Sequence, residues 1–110
     1  MRVITIKEVI HRTAKQFNMP VEEVVSKNVN RQVVLVRHIG MYIARKLTYK
    51  SLRVISNAFG MIHAGSVAHA VNHVEVLMAK NPIIEADVKA ILKNLNPEEN
   101  DHVSEKLPNT

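Results

Sequence analysis

The sequence predicts an all-α fold, a compact bundle of about six helices that contains a helix-turn-helix. Three observations predict it. Apolar residues recur at helical spacing in successive runs, each interrupted by Pro, Gly, Asn or Thr. Val, Ile, Leu and Ala dominate over only two Phe and two Tyr, which suits helix packing better than platforms for stacked bases. Residues 36–73 read as a long helix, a basic turn, a short helix closed at Gly60, and a further helix from about Ala64. In such a unit the short helix braces against a nucleic-acid backbone and the second enters the major groove, so the residues at its start decide what is read. Here they are His63, Ala64, Gly65 and Ser66.

Taken in order, Thr5-Ile6-Lys7-Glu8 has capping-box spacing and should open the first helix. Ile6, Val9, Ile10, Thr13, Ala14 and Phe17 form its apolar face, and Asn18-Met19-Pro20 ends it. Pro20 suits the first turn of a short second helix over 21–26, whose Glu22 and Glu23 complement the helix dipole. After a polar connector, Val33 to Leu47 reads as a central third helix with Val36, Ile39, Met41, Ile43, Ala44 and Leu47 inward, and Arg37, Arg45 and Lys46 solvated. Gly40 marks a close helix approach. Thr48 can cap a fourth helix running to Phe59, with Leu52, Ile55 and Phe59 buried, and Gly60 permits the left-handed turn that closes it. Val67, Ala70, Val71, Val74, Leu77 and Met78 define the fifth helix, from 64 to 79, and Asn81-Pro82 stops it. The sixth should run from about Glu85 to Pro97. The domain therefore spans residues 1–96, with its helix-turn-helix near 48–79, and a polar, acidic tail over 97–110 is expected to be disordered.

With 110 residues the chain is one domain's worth, long enough to bury a modest core. It has no cysteine, so disulfides and thiolate metal sites are excluded. No apolar stretch is long enough to span a bilayer and no signal segment is recognisable, so a soluble, cytoplasmic, nucleoid-associated protein is expected. Charge is uneven. Residues 1–53 carry eleven Lys/Arg against three Glu, while residues 54–110 carry four Lys against seven acids. Between Val24 and Val74 there is no carboxylate, yet Lys27, Arg31, Arg37, Arg45, Lys46, Lys50 and Arg53 all fall there. A basic stripe of that length, centred on a helix-turn-helix, is suited to phosphate.

Several stretches together resemble the carboxy-terminal DNA-binding domain of the bacterial replication initiator DnaA. Arg37-His38-Ile39-Gly40-Met41-Tyr42-Ile43-Ala44-Arg45 is similar to that family's arginine-led central helix. Leu47-Thr48, Ser51-Leu52, Ile55 and Phe59-Gly60 fall at its spacings, Val67 and His69-Ala70 match the helix after its turn, and Ile4-Thr5-Ile6 and Ser26-Lys27 also fit. The resemblance covers roughly residues 3–95. It implies a Trp-repressor-like, all-helical fold that binds double-stranded DNA, with Arg37, Arg45, Lys46, Thr48, Lys50 and Ser51 on phosphates. No glycine-rich loop ending in Gly-Lys-Ser/Thr is present, so ATP-driven origin melting is not expected of this polypeptide.

The departures lie where bases would be read. The family follows its turn with Gly-Arg-Asp-His and two threonines, whereas Met61, Ile62, His63, Ala64, Gly65 and Ser66 stand here, and Val29 replaces its minor-groove arginine. Each lost base contact removes about 1 to 3 kcal/mol of discrimination. Three outcomes stay open. The chain reads another sequence through His63, Gly65, Ser66 and His69, with Asn57; or it binds DNA by charge and shape; or Met61 and Ile62 form a contact for a replication or regulatory protein. Catalysis has no constellation to rest on, and no cofactor is expected. His69 and His73 have a metal-ligand spacing but lack a convincing third partner, His63 being the nearest in sequence. A packed His69 and a solvated His73, without metal, are the expectation.

Overall fold

The computed structural model describes residues 3–95. It contains α1 (Ile6–Gln16), α2 (Val21–Val24), α3 (Arg31–Leu47), α4 (Leu52–Ala58), α5 (Gly65–Lys80) and α6 (Pro82–Leu95), with no strand among the described residues. None of these helices is long and apolar enough to cross a membrane. The expected stop at Pro97 and the tail over 97–110 lie outside the described residues.

Short polar side chains start α1, α3, α4 and α6. The Thr5 hydroxyl accepts from the Glu8 amide at 3.1 Å while the Glu8 carboxylate accepts from the Thr5 amide at 3.0 Å, which completes the capping box. Asn30 accepts from Gln32 N, carrying α3 back to Arg31. Asn81 Oδ1 accepts from Ile83 N and Ile84 N, so α6 begins at Pro82 and not at Glu85. Proline has no amide to leave unpaired at that first position. Thr48 is not the cap of α4. Its hydroxyl donates to Ala44 O at 2.7 Å and closes α3, and Ser51 caps α4 by accepting from Val54 N.

Left-handed residues stop three of the helices, at Asn18 (φ 52°), Tyr49 (φ 59°) and Gly60 (φ 78°). At Asn18 and Gly60 the amide of the next residue reaches back, Met19 N to Ala14 O and Met61 N to Ser56 O, both at 2.9 Å. These are Schellman closures. α2 is shorter than expected because its last turn ends at Val25, after which the Ser26 hydroxyl donates to Glu23 O. Pro20 stands just outside α2 with an extended backbone.

Helix α3 lies at the centre and touches each of the other five. Val36, Ile39, Ile43 and Ala44 meet Val9 and Ala14 of α1, Ile55 and Phe59 near α4, Val67, Ala70 and Val74 of α5, and Val88 and Ile91 of α6 in one cluster. Leu52 is only half-buried at its edge. Gln16 Nε2 donates to Asp87 Oδ1 at 3.0 Å, clasping α1 to α6.

Gly40 is the close approach that its position suggests. A Cβ there would sit 2.7 Å from Phe59 Cε2 and 3.0 Å from Cζ, against a ring with no exposure. Gly65 differs, since a Cβ would meet nothing within 4 Å. Gly40→Ala should therefore lower stability by about 1 to 2 kcal/mol, overpacking outweighing the gain in helix propensity. Gly65→Ala should be neutral or gain up to about 1 kcal/mol. Urea midpoints at unchanged slope are the measurement.

Candidate nucleic-acid interface

The turn between α4 and α5 is held by backbone and by one buried hydroxyl. Ser56, fully buried, donates its Oγ–H to His63 O at 2.8 Å, and Ser66 N donates to the same carbonyl at 3.0 Å. A side chain at Gly60 would collide with Val25 O, so the turn also leans on the segment after α2. Ala64 precedes α5 without a side-chain cap. This frame splits the apolar pair at its tip. Met61 packs against the core, whereas Ile62 is 69% exposed. His63 and Gly65 are exposed and Ser66 is half-buried, so these three share the start of α5.

The cations at the end of α3 and in the loop before α4 are placed individually. Arg45 Nη1 donates to Lys50 O at 3.0 Å, and Lys46 Nζ lies 5.4 Å from the centre of the Tyr42 ring. Arg45, Lys46, Lys50, Ser51 and Arg53 are exposed. Thr48 is half-buried, its hydroxyl also accepting from Lys50 N, so it shapes the loop. Tyr49 was not anticipated. It takes a left-handed conformation that β-carbon residues disfavour and leaves its ring 90% exposed beside Lys50.

Arg37 is corrected. It is not solvated among the phosphate-facing cations but 5% exposed, with Nε donating to Val24 O and Nη2 to Asn28 O, both at 2.9 Å. Desolvation lowers its pKa. The signal was present in the sequence, since Val33, Gly40 and Ala44 stand four before, three after and seven after it on the buried face.

A family model described as the bacterial dnaA protein helix-turn-helix matches residues 6–74. The chain belongs to that family. It is similar to the chromosomal replication initiator protein DnaA of Nautilia profundicola, 38% identical over 63% of this chain and 16% of the relative. The DnaA of Caulobacter sp. strain K31 is 32% identical over 84% of this chain and 19% of the relative, and that of Lachnoclostridium phytofermentans 30% over 87% and 21%. The chain thus spans about a fifth of the length of these DnaA relatives.

One further group lies beside this DnaA-family frame, on the join between α3 and α5. His38 Nδ1 and His73 Nδ1 are 2.9 Å apart, and the His69 ring stacks near His73 with centroids 6.1 Å apart and stands edge-on to His38 at 5.6 Å. The third histidine missing from the sequence reading is therefore His38, not His63. No local spacing could reveal it, because the contact crosses 35 residues. His73 is half-buried, and His69 is exposed, the reverse of the expected packing.

The His38 pKa is pushed down from 6.5 to about 4, first by desolvation, then by His73, His69 and Arg37. Between those values the folded state binds fewer protons than the unfolded one, so this contribution is complete above pH 6.5 and is lost as pH falls toward 4. The unfolding free energy should drop by about 1 kcal/mol between pH 8 and 5, after discounting for solvent at the half-buried ring. His38→Gln should flatten that slope. Arg37→Ala should cost about 2 kcal/mol or more by leaving two carbonyls unpaired, measured by urea unfolding.

Proposed function

We propose that this chain binds double-stranded DNA through its helix-turn-helix and acts as an accessory or regulatory factor in replication or transcription, without ATPase activity. The observation that carries the reading is the set of exposed cations Arg45 and Lys46 in the last turn of α3, Lys50 in the loop and Arg53 in the first turn of α4, next to an ordered turn and within a stretch of sequence free of carboxylates. The names of the relatives supply the replication context. Such a protein would work in the cytoplasm, on the nucleoid.

In this reading Arg45, Lys46, Lys50 and Ser51 meet phosphates and fix register, without carrying sequence information. Base edges fall to His63, Gly65, Ser66 and His69. Ile62 and Ala64 give no hydrogen bond where the family has an arginine and a histidine, so affinity for the usual initiator box should be weak. Discrimination then comes from histidine, serine and thymine-methyl contacts, or from duplex shape. A second reading is favoured by one observation, the 69% exposure of Ile62 at the turn tip. An apolar side chain there suits a replication or regulatory protein partner.

Anisotropy titrations against random-sequence duplex and an initiator-type box, each at two salt concentrations, test both. The Arg45→Ala, Lys50→Ala double variant should weaken binding roughly tenfold or more and reduce the salt slope by about 2, since each phosphate contact releases nearly one counterion. Unchanged binding in that variant would sink the DNA reading. Absence of duplex binding, with a protein contact that Ile62→Asp abolishes, would establish the second.

A further inference from the structure

We propose that Tyr49, in the loop between α3 and α4, is a duplex-contacting residue, its phenol hydroxyl donating to a backbone phosphate while its ring lies against the adjacent deoxyribose. The inference rests on the duplex reading above and adds to it a contact that is not cationic. Among the described residues three take a left-handed backbone, Asn18, Tyr49 and Gly60. Asparagine and glycine are residue types that tolerate it, and a bulky ring is not. Such a residue persists only where the surrounding structure over-determines it, and binding surfaces are where strain of this kind gathers.

The loop around Tyr49 is closed by other residues. The Thr48 hydroxyl donates to Ala44 O at 2.7 Å and accepts from Lys50 N at 3.3 Å, and Arg45 Nη1 donates to Lys50 O at 3.0 Å. Ser51 then caps α4. Thr48, Lys50 and Ser51 are thus held, and Tyr49 between them is turned outward with its ring 90% exposed. None of these bonds uses its side chain. The phenol has no partner among the described residues, and Lys46 covers the ring of Tyr42 instead. Asparagine or glycine at this position would close the same loop with less strain, so the ring serves something outside the fold.

The neighbouring charges select the ligand. Arg45, Lys46, Lys50 and Arg53 are exposed on the same short segment, and the sequence holds no carboxylate from residue 24 to 74. An apolar protein surface laid on the ring would have to cover those cations, whereas a sugar-phosphate backbone gives them anions and gives the ring a carbon-rich sugar. In a helix-turn-helix the first helix of the pair crosses the duplex backbone, which puts the loop before α4 level with the phosphates. Tyrosine is one of the side chains that bond phosphate oxygens there, and its two side-chain torsions leave little freedom to lose. A neutral phenol releases no counterion. Its contribution therefore persists at salt concentrations that weaken Arg45 and Lys50.

The test is anisotropy against random-sequence duplex at two salt concentrations, melting of the free protein, and tyrosine emission. Tyr49→Asn should weaken duplex binding roughly tenfold or more at an unchanged salt slope, and raise the melting temperature by about 2 to 4 °C as the left-handed strain is relieved. Tyr49→Phe should weaken binding roughly fivefold or more with melting unchanged. The chain has two tyrosines and no tryptophan, and Tyr42 is buried, so an emission change on adding duplex that is absent from Tyr49→Phe reads the contact directly. Variants at Tyr49 that bind duplex as the parent does overturn the inference and leave the duplex reading standing, whereas a parent that binds no duplex removes both. Melting of Tyr49→Asn below the parent would make the ring a prop for the loop. Tighter binding of single strand than of duplex, lost in Tyr49→Asn, would make it a platform for bases, and either outcome overturns the duplex contact.

Discussion

A buried guanidinium ties the segment between α2 and α3 to the central helix. Arg37 lies on the core face of α3, where an unmatched charge would cost several kcal/mol, and its guanidinium is matched by two main-chain carbonyls. By bonding Val24 O and Asn28 O it holds the segment between α2 and α3 at its start and again at its middle. That segment is stiffened further, Asn28 N donating to Ser26 Oγ and Asn30 N to Asn28 Oδ1, until Asn30 caps α3 itself. Val25, held between, presents its carbonyl to Gly60. One side chain thereby fixes the backing against which the helix-turn-helix closes.

Local chemistry was legible wherever the partners are close in sequence. The capping box at Thr5 and Glu8, the left-handed turn at Gly60, the inward face of α5 and the tight contact at Gly40 all follow from spacing and side-chain size. Where two local solutions compete, the sequence is ambiguous. Thr48 and Ser51 are both capable caps, and the choice falls to Ser51 because Tyr49 leaves the helix in a left-handed conformation between them. Proline at 82 reads equally well as a stop for α5 and a start for α6, and it serves as both boundaries. Arg37 was missed because charge outweighed periodicity. His38 was beyond reach for a different reason, since only the packing of α3 on α5 brings it to His73.

Membership in the DnaA helix-turn-helix family fits this division between frame and surface. The cations that could face a duplex are partly arranged in advance, Arg45 by a bond to the Lys50 carbonyl and Lys46 by the Tyr42 ring. A long side chain already restrained has less freedom to lose when it meets a phosphate.

The hydrogen bond from Ser56 to the His63 carbonyl bears on how such a domain can change over generations. The turn is held by a buried hydroxyl, by amides and by the glycine at 60, and none of these is a side chain of Ile62 or His63. Substitution of Ile62 or His63 therefore leaves these bonds in place, and the surface of the turn can change while its frame does not. Ser56, whose hydroxyl is buried beneath the turn, ties that frame to α4 whatever side chains stand at its tip.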